Sequence, residues 1–84
     1  MINLANYSQL SIYNRKALEQ EDNYSCYFCF RYGNTSDIEE WCDNQTTGLC
    51  SFCGMDTLLP GTVDKGLLEA INEKAFKVVK NPNE

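Results

Sequence analysis

Cys26-Tyr27-Phe28-Cys29 and, twenty residues later, Cys50-Ser51-Phe52-Cys53-Gly54 decide how this 84-residue chain is read. Two C-x-x-C pairs at this separation fit the four-thiolate zinc pattern, at the upper limit of its spacing. In each pair the short turn between the sulfurs lets both thiolates converge on one ion at about 2.3 Å. Gly54 suits the positive φ of a tight knuckle, and its N–H can approach a sulfur closely. The first pair runs into Phe30 instead, a less suitable residue for that turn. Redox-active or merely buried thiols are the competing reading. A thioredoxin-type site wants a single C-x-x-C after a strand in a βαβ setting, and no hydrophobic strand run precedes Cys26. Zinc is the expected ion and iron its rival, because a tetrahedron of four thiolates suits both.

Working outward, the chain contains no histidine. Ser-His and Cys-His nucleophile pairs are therefore absent, as is the commonest general base. Five cysteines are an odd number and too sparse for a disulfide scaffold. The fifth, Cys42, sits between Trp41 and Asp43 and reads as a small buried hydrophobe, with a substitute ligand or a reactive thiol as the alternatives. Its acidic neighbours Glu39, Glu40 and Asp43 disfavour a thiolate. The length predicts one domain over residues 1–84 with a thin core, one that a metal would help to hold. Met1-Ile2-Asn3-Leu4 begins no signal sequence and no apolar run nears the roughly 20 residues of a membrane span, so a cytoplasmic location is expected.

The formal net charge of −5 is unevenly spread. Residues 19–64 carry nine acids against Arg31 alone, whereas residues 1–18 and 65–84 are mildly basic. Nucleic-acid binding needs a basic stripe that displaces counterions, so this charge distribution argues against DNA and RNA as partners. The acidic balance serves solubility, or it forms a face that docks on a basic protein surface. Glu39, Glu40 and Asp43 are the candidate contacts on that face.

The rest of the pattern predicts an α+β fold. Ser11 is positioned to cap a short N-terminal helix over residues 12–21. Residues 24–32 suggest a ragged hairpin around the first knuckle, with Gly33-Asn34 as a turn. The aromatics there (Tyr24, Tyr27, Phe28, Phe30, Tyr32) would shield the thiolates or form a binding face. Ser36-Asp37-Ile38-Glu39 reads as a capping box opening a helical turn through Trp41, the expected largest core side chain. A polar loop over residues 43–48 leads to a short strand at 47–50. The metal-binding core is thus expected over about residues 24–59. Asp64 caps an amphipathic helix expected over residues 64–80, where Leu67, Leu68, Ile71, Ala75, Val78 and Val79 fall in an arc of about 120°. Phe76 lies at the edge of this stripe, a possible anchor for a partner if it does not pack on the domain.

Ser11 with Asn14-Arg15, Cys26-x-Phe28-Cys29, Ile38-x-x-Trp41 and Thr47-x-Leu49-Cys50-x-x-Cys53-Gly54-x-Asp56, followed by a terminal helix, resembles a family of small uncharacterised bacterial and phage cytoplasmic proteins. The likeness covers roughly residues 11–76. It departs at Gly48, Ser51 and Thr57, where alanine, proline and serine are usual, and Cys42 is extra. The resemblance implies a zinc-ribbon-like fold but no reaction. It suggests that Arg15 pairs with Asp56 or donates to knuckle carbonyls. The expectation is a non-enzymatic zinc module that binds another protein, such as a bacterial or phage regulator acting on a host protein. A rubredoxin-like iron electron carrier and a nucleic-acid-binding ribbon, using Arg31 and the aromatics for stacking, are the alternatives.

Overall fold

Alternating side chains in Asn23-Tyr24-Ser25-Cys26 form strand β1 (Asn23–Cys26), the middle of a three-stranded antiparallel sheet. On one side β2 (Tyr32–Asn34) pairs Asn23 with Asn34, Tyr24 with Gly33 and Ser25 with Tyr32. On the other, the edge strand β5 (Leu58–Pro60) pairs Tyr24 with Pro60, Ser25 with Leu59 and Cys26 with Leu58. Proline lacks a backbone donor and is tolerated on such an edge. A computed structural model describes residues 2–76 of the chain.

Residues opposite one another in a sheet share a face, so this register creates two cores. Tyr24, Cys26 and Leu58 turn to one side, where they meet Leu18, Ile38 and Cys50, with Trp41, Cys29 and Cys53 packed against them. That side is covered by helix α2 (Arg15–Glu21) and by the small hairpin of β3 (Trp41–Cys42) and β4 (Thr47–Gly48). Leu59 turns to the other side and meets Tyr27, Val63, Leu68 and Ile71. Helices α1 (Tyr7–Leu10) and α3 (Lys65–Phe76) close that side, Tyr7, Leu10 and Phe76 packing at its margin. The cysteine sulfurs therefore belong to the first core, and the terminal helix to the second.

Helix α3 begins as expected: the Leu67 N–H donates to Asp64 Oδ2 at 3.2 Å and the Leu68 N–H to the Asp64 carbonyl. Leu68 and Ile71 are fully buried, while Glu69 and Glu73 face solvent. Val78, Val79 and the rest of the expected helix lie outside the described residues.

Elsewhere tertiary contacts override local preference. The N-terminal helix starts at Arg15, not at residue 12, because Ser11 Oγ donates to the Ser8 carbonyl at 3.0 Å and Tyr13 takes a left-handed φ of 47°. Asn14 holds the cap position yet makes no cap bond. Its buried amide donates to the carbonyls of Leu10 and Leu58 and accepts the Gly48 N–H, joining both helices to β4 and β5. The capping box yields only a 3₁₀ turn over Thr35–Asp37, because Ile38 is already extended and leads into β3. Gly33-Asn34 is strand, not turn, for Gly33 lies under the Tyr24 ring. Tyr24, with no exposed surface, is the largest fully buried side chain, whereas Trp41 is half-buried. The Arg15 guanidinium stacks on Trp41 at 4.3 Å and bonds Glu19 and the Gln45 carbonyl, so it pairs with neither Asp56 nor the knuckles.

Candidate metal centre

The two C-x-x-C segments fold alike. The Cys26 N–H donates to the Arg31 carbonyl at 2.9 Å, and the Phe30 N–H returns to the Cys26 carbonyl at 3.0 Å. In the second segment the Cys50 N–H donates to the Met55 carbonyl at 2.9 Å, and the Gly54 N–H returns to the Cys50 carbonyl at 2.8 Å. Each turn needs one left-handed residue, Phe30 at φ 63° and Gly54 at φ 78°. Phenylalanine tolerates this conformation poorly, so the first knuckle holds a strained residue that the second avoids. Peptide N–H groups left inside each turn point at sulfur. Those of Phe28 and Cys29 lie 3.4 and 3.5 Å from Cys26 Sγ, and that of Phe52 lies 3.4 Å from Cys50 Sγ.

Strand β1 presents Cys26 at its end, and the second knuckle lies across the first core, so all four sulfurs fall within 4.8 Å of one another. Cys26 and Cys53 are 3.7 Å apart, as are Cys29 and Cys50. Sulfurs about 2.3 Å from a central ion form a tetrahedron with edges of about 3.8 Å. A disulfide would need about 2.05 Å, and all five cysteines are free. The four can therefore hold a metal ion as a tetrathiolate. An ion held by all four would have only protein sulfur as ligands, as structural zinc sites do. Cys26 and Cys50 are buried; Cys29 and Cys53 are half-buried.

Titration of the metal-free thiols follows their surroundings. Burial pushes Cys29 up to about 11, although the Arg31 N–H opposes it. Burial also raises Cys53 strongly, aided by the adjacent Cys26 and opposed by the Met55 N–H. Burial alone would raise Cys50 too, but the Cys53 and Phe52 N–H groups aimed at its sulfur bring it below the usual thiol value. Backbone N–H groups and the neighbouring thiols thus favour the deprotonated form of Cys50.

Two hydroxyl contacts escaped the sequence reading. Thr57 Oγ1, buried, lies 3.1 Å from Cys26 Sγ, and the Tyr24 hydroxyl bonds Ser51 Oγ inside the second knuckle. Nothing local in the sequence ties Tyr24 to Ser51, because only the packing of the second knuckle on the first core brings them together.

The aromatics around the first knuckle divide. Tyr24 and Tyr27 are buried beside the knuckles, while Phe28 and Phe52, at matching positions of the two turns, are about half exposed. Phe76 does not project freely: its ring meets Tyr27 at 6.2 Å and Phe28 at 5.4 Å. Arg31 sits over Phe52 at 5.0 Å. Glu39 and Glu40 are exposed beside the second knuckle, lining with Leu49, Cys50, Ser51 and Gly54 a hollow of about 160 Å³. Asp43 stands apart from them, at the β3–β4 turn, where its carboxylate accepts the Thr47 hydroxyl at 2.8 Å. Cys42 is half-buried in β3 and outside the sulfur cluster; burial, Asp43 and Asp56 raise its thiol.

Among the described residues no helix is long and apolar enough to cross a membrane. Compared with known protein families, curated proteins and solved structures, the chain matches none.

Proposed function

We propose that this protein is a non-enzymatic zinc-binding interaction module of zinc-ribbon type. Its tetrathiolate site holds the fold together, and its acidic surface docks on a basic region of another protein. The observation that carries the reading is the convergence of the Cys26, Cys29, Cys50 and Cys53 sulfurs to within 4.8 Å of one another. Four protein ligands close the coordination sphere, as structural zinc sites do. In zinc-finger peptides such sites contribute about 10–16 kcal/mol of folding free energy at neutral pH, which exceeds the net stability of most small domains. Glu39 and Glu40, exposed on the knuckle's flank, supply the contact charge.

Elemental analysis of the native protein should find one zinc per chain, and a strong chelator should abolish its cooperative melt. Charge reversal at Glu39 and Glu40 should release a partner captured from the native host. A fold indifferent to chelation would end the structural role, and undiminished capture would end the acidic-face docking.

An electron-carrier reading draws support from the N–H groups of Phe28, Cys29 and Phe52 directed at sulfur, since such bonds tune the potential of an iron–thiolate centre. A coloured native protein containing iron would favour it; a colourless zinc protein ends it.

A further inference from the structure

A second surface of the molecule has the form of a binding site. Between the end of α2, the β5–α3 junction and the N-terminal segment lies a groove of about 570 Å³. That volume falls within the usual range of ligand pockets, about 300–1,000 Å³. Its floor is apolar and is formed by Ile2, Leu10, Ala17, Pro60 and Leu67. Ile2, Leu10 and Leu67 are packed against the second core, so the floor is continuous with rigid structure.

The groove's electrostatics select among occupants. Glu21 and Asp64 line it, and no lysine or arginine does. The Glu21 carboxylate leans over the β5–α3 junction, Oε1 coming within 3.4 Å of where a Cβ on Gly61 would sit. Glu21 also ends α2, and no basic residue occupies the last turn of that helix. An acid at a helix C-terminus faces the negative end of the macrodipole, an unfavourable placement. Among the described residues the only ion pair joins Arg15 to Glu19, so neither groove carboxylate has a cationic partner there. The result is an apolar floor with negative charge at its rim, where Glu21 has no cationic partner among the described residues and Asp64 is engaged by the Leu67 N–H at the start of α3.

We propose that this groove binds a linear peptide segment of a partner protein that presents a bulky aliphatic side chain flanked by lysine or arginine. The aliphatic group covers Leu67 and Pro60, while the cation meets Glu21 and Asp64 at the rim. This rests on the interaction-module reading and adds a second contact, in the groove, to the one at the knuckle's flank.

The test is a titration of ¹⁵N-labelled, zinc-loaded protein with two capped peptides, Ala-Lys-Leu-Leu-Lys-Ala and Ala-Glu-Leu-Leu-Glu-Ala, followed by amide chemical shifts. The lysine peptide should shift Ala17, Thr62, Val63 and Leu67 saturably, and the glutamate peptide should bind about tenfold or more weakly. Glu21→Lys, a change at an exposed position, should weaken the lysine peptide and strengthen the glutamate one. No shifts at millimolar peptide, or equal affinity for the two peptides, would overturn the proposal. So would concentration-dependent shifts of the same amides without peptide, which would place a second copy in the groove. Shifts centred on Glu39 and Glu40 would overturn the groove assignment while leaving the module reading standing. Failure of the module reading would instead show as absence of any partner for the loaded protein.

Discussion

Metal loading should depend steeply on pH. A tetrathiolate site binds only deprotonated sulfur. Burial pushes Cys29 up to about 11 and raises Cys53 strongly, so both stay protonated around neutral pH in the metal-free protein. Each ion bound must therefore expel at least two protons. Every expelled proton changes the affinity about tenfold, or about 1.36 kcal/mol, per pH unit. Between pH 6 and pH 8 the association constant should thus rise by about 10⁴ or more, roughly 5.5 kcal/mol. Zinc competition against a chromophoric chelator at pH 6, 7 and 8 reads this slope. Calorimetry in two buffers of different ionisation heat counts the protons independently. A slope below one decade per pH unit, with fewer than one proton released, would refute the placement of Cys29 and Cys53 in a desolvated sulfur cluster. The metal-free fold should respond with the opposite sign. Thiols whose folded pKa is raised contribute stability that is complete below the unfolded value near about 8.5 and is lost as pH climbs towards the folded one. Any residual apo structure should accordingly weaken above about pH 8.5 while the loaded protein does not.

Other substitutions probe the link between sheet and metal. Gly33→Ala would place a methyl 2.5 Å from the Tyr24 hydroxyl and 2.6 Å from its ring. Tyr24 is fully buried and bonded to Ser51, so overpacking should cost about 2–4 kcal/mol, read as a lower Tm and weaker zinc retention. Asn14→Ala would strip partners from the Leu10 and Leu58 carbonyls and the Gly48 N–H, costing about 2–4 kcal/mol by denaturant melting with the metal ligands intact. Thr57→Val keeps the shape but removes the hydroxyl from the Cys26 sulfur, and zinc affinity should fall by about tenfold in the same competition assay. Cys42→Ser should leave zinc stoichiometry at one, whereas Cys53→Ser should abolish tight binding, because only Cys53 belongs to the sulfur cluster.

The spacing of the cysteines, the knuckle turns and the capped helix at Asp64 were legible because each depends on residues close in sequence. A C-x-x-C turn brings two sulfurs together through its own backbone, and Asp64 needs only Leu67 and Leu68 to start a helix. The readings at Ser11 and Ser36 missed because the chain beside each is held by other bonds: Ser11 Oγ turns back to the Ser8 carbonyl, and the Thr35 hydroxyl and N–H reach the Leu18 and Asp22 carbonyls. The Asn14 side chain is drawn to Leu58 and Gly48, and the Tyr13 N–H bonds Thr47 Oγ1 at 2.8 Å, so the chain bends there and the helix starts late. Phe30 was singled out as a poor knuckle residue, and it does occupy the left-handed conformation that Gly54 fills without cost.

Sequence alone determined the chemistry available: four paired sulfurs, no histidine, and an acidic middle with a single base. Tertiary structure decided which groups meet. The register of β1 against β5 sends Cys26 to one core and Leu59 to the other. The same packing sets Thr57 against a sulfur, seats Phe76 on the knuckle's aromatic rings and aligns Glu21 with Asp64 along one groove. The physical reason is range. Backbone turns and caps are fixed by neighbours along the chain, whereas burial, charge environment and sulfur titration depend on segments that only folding brings into contact.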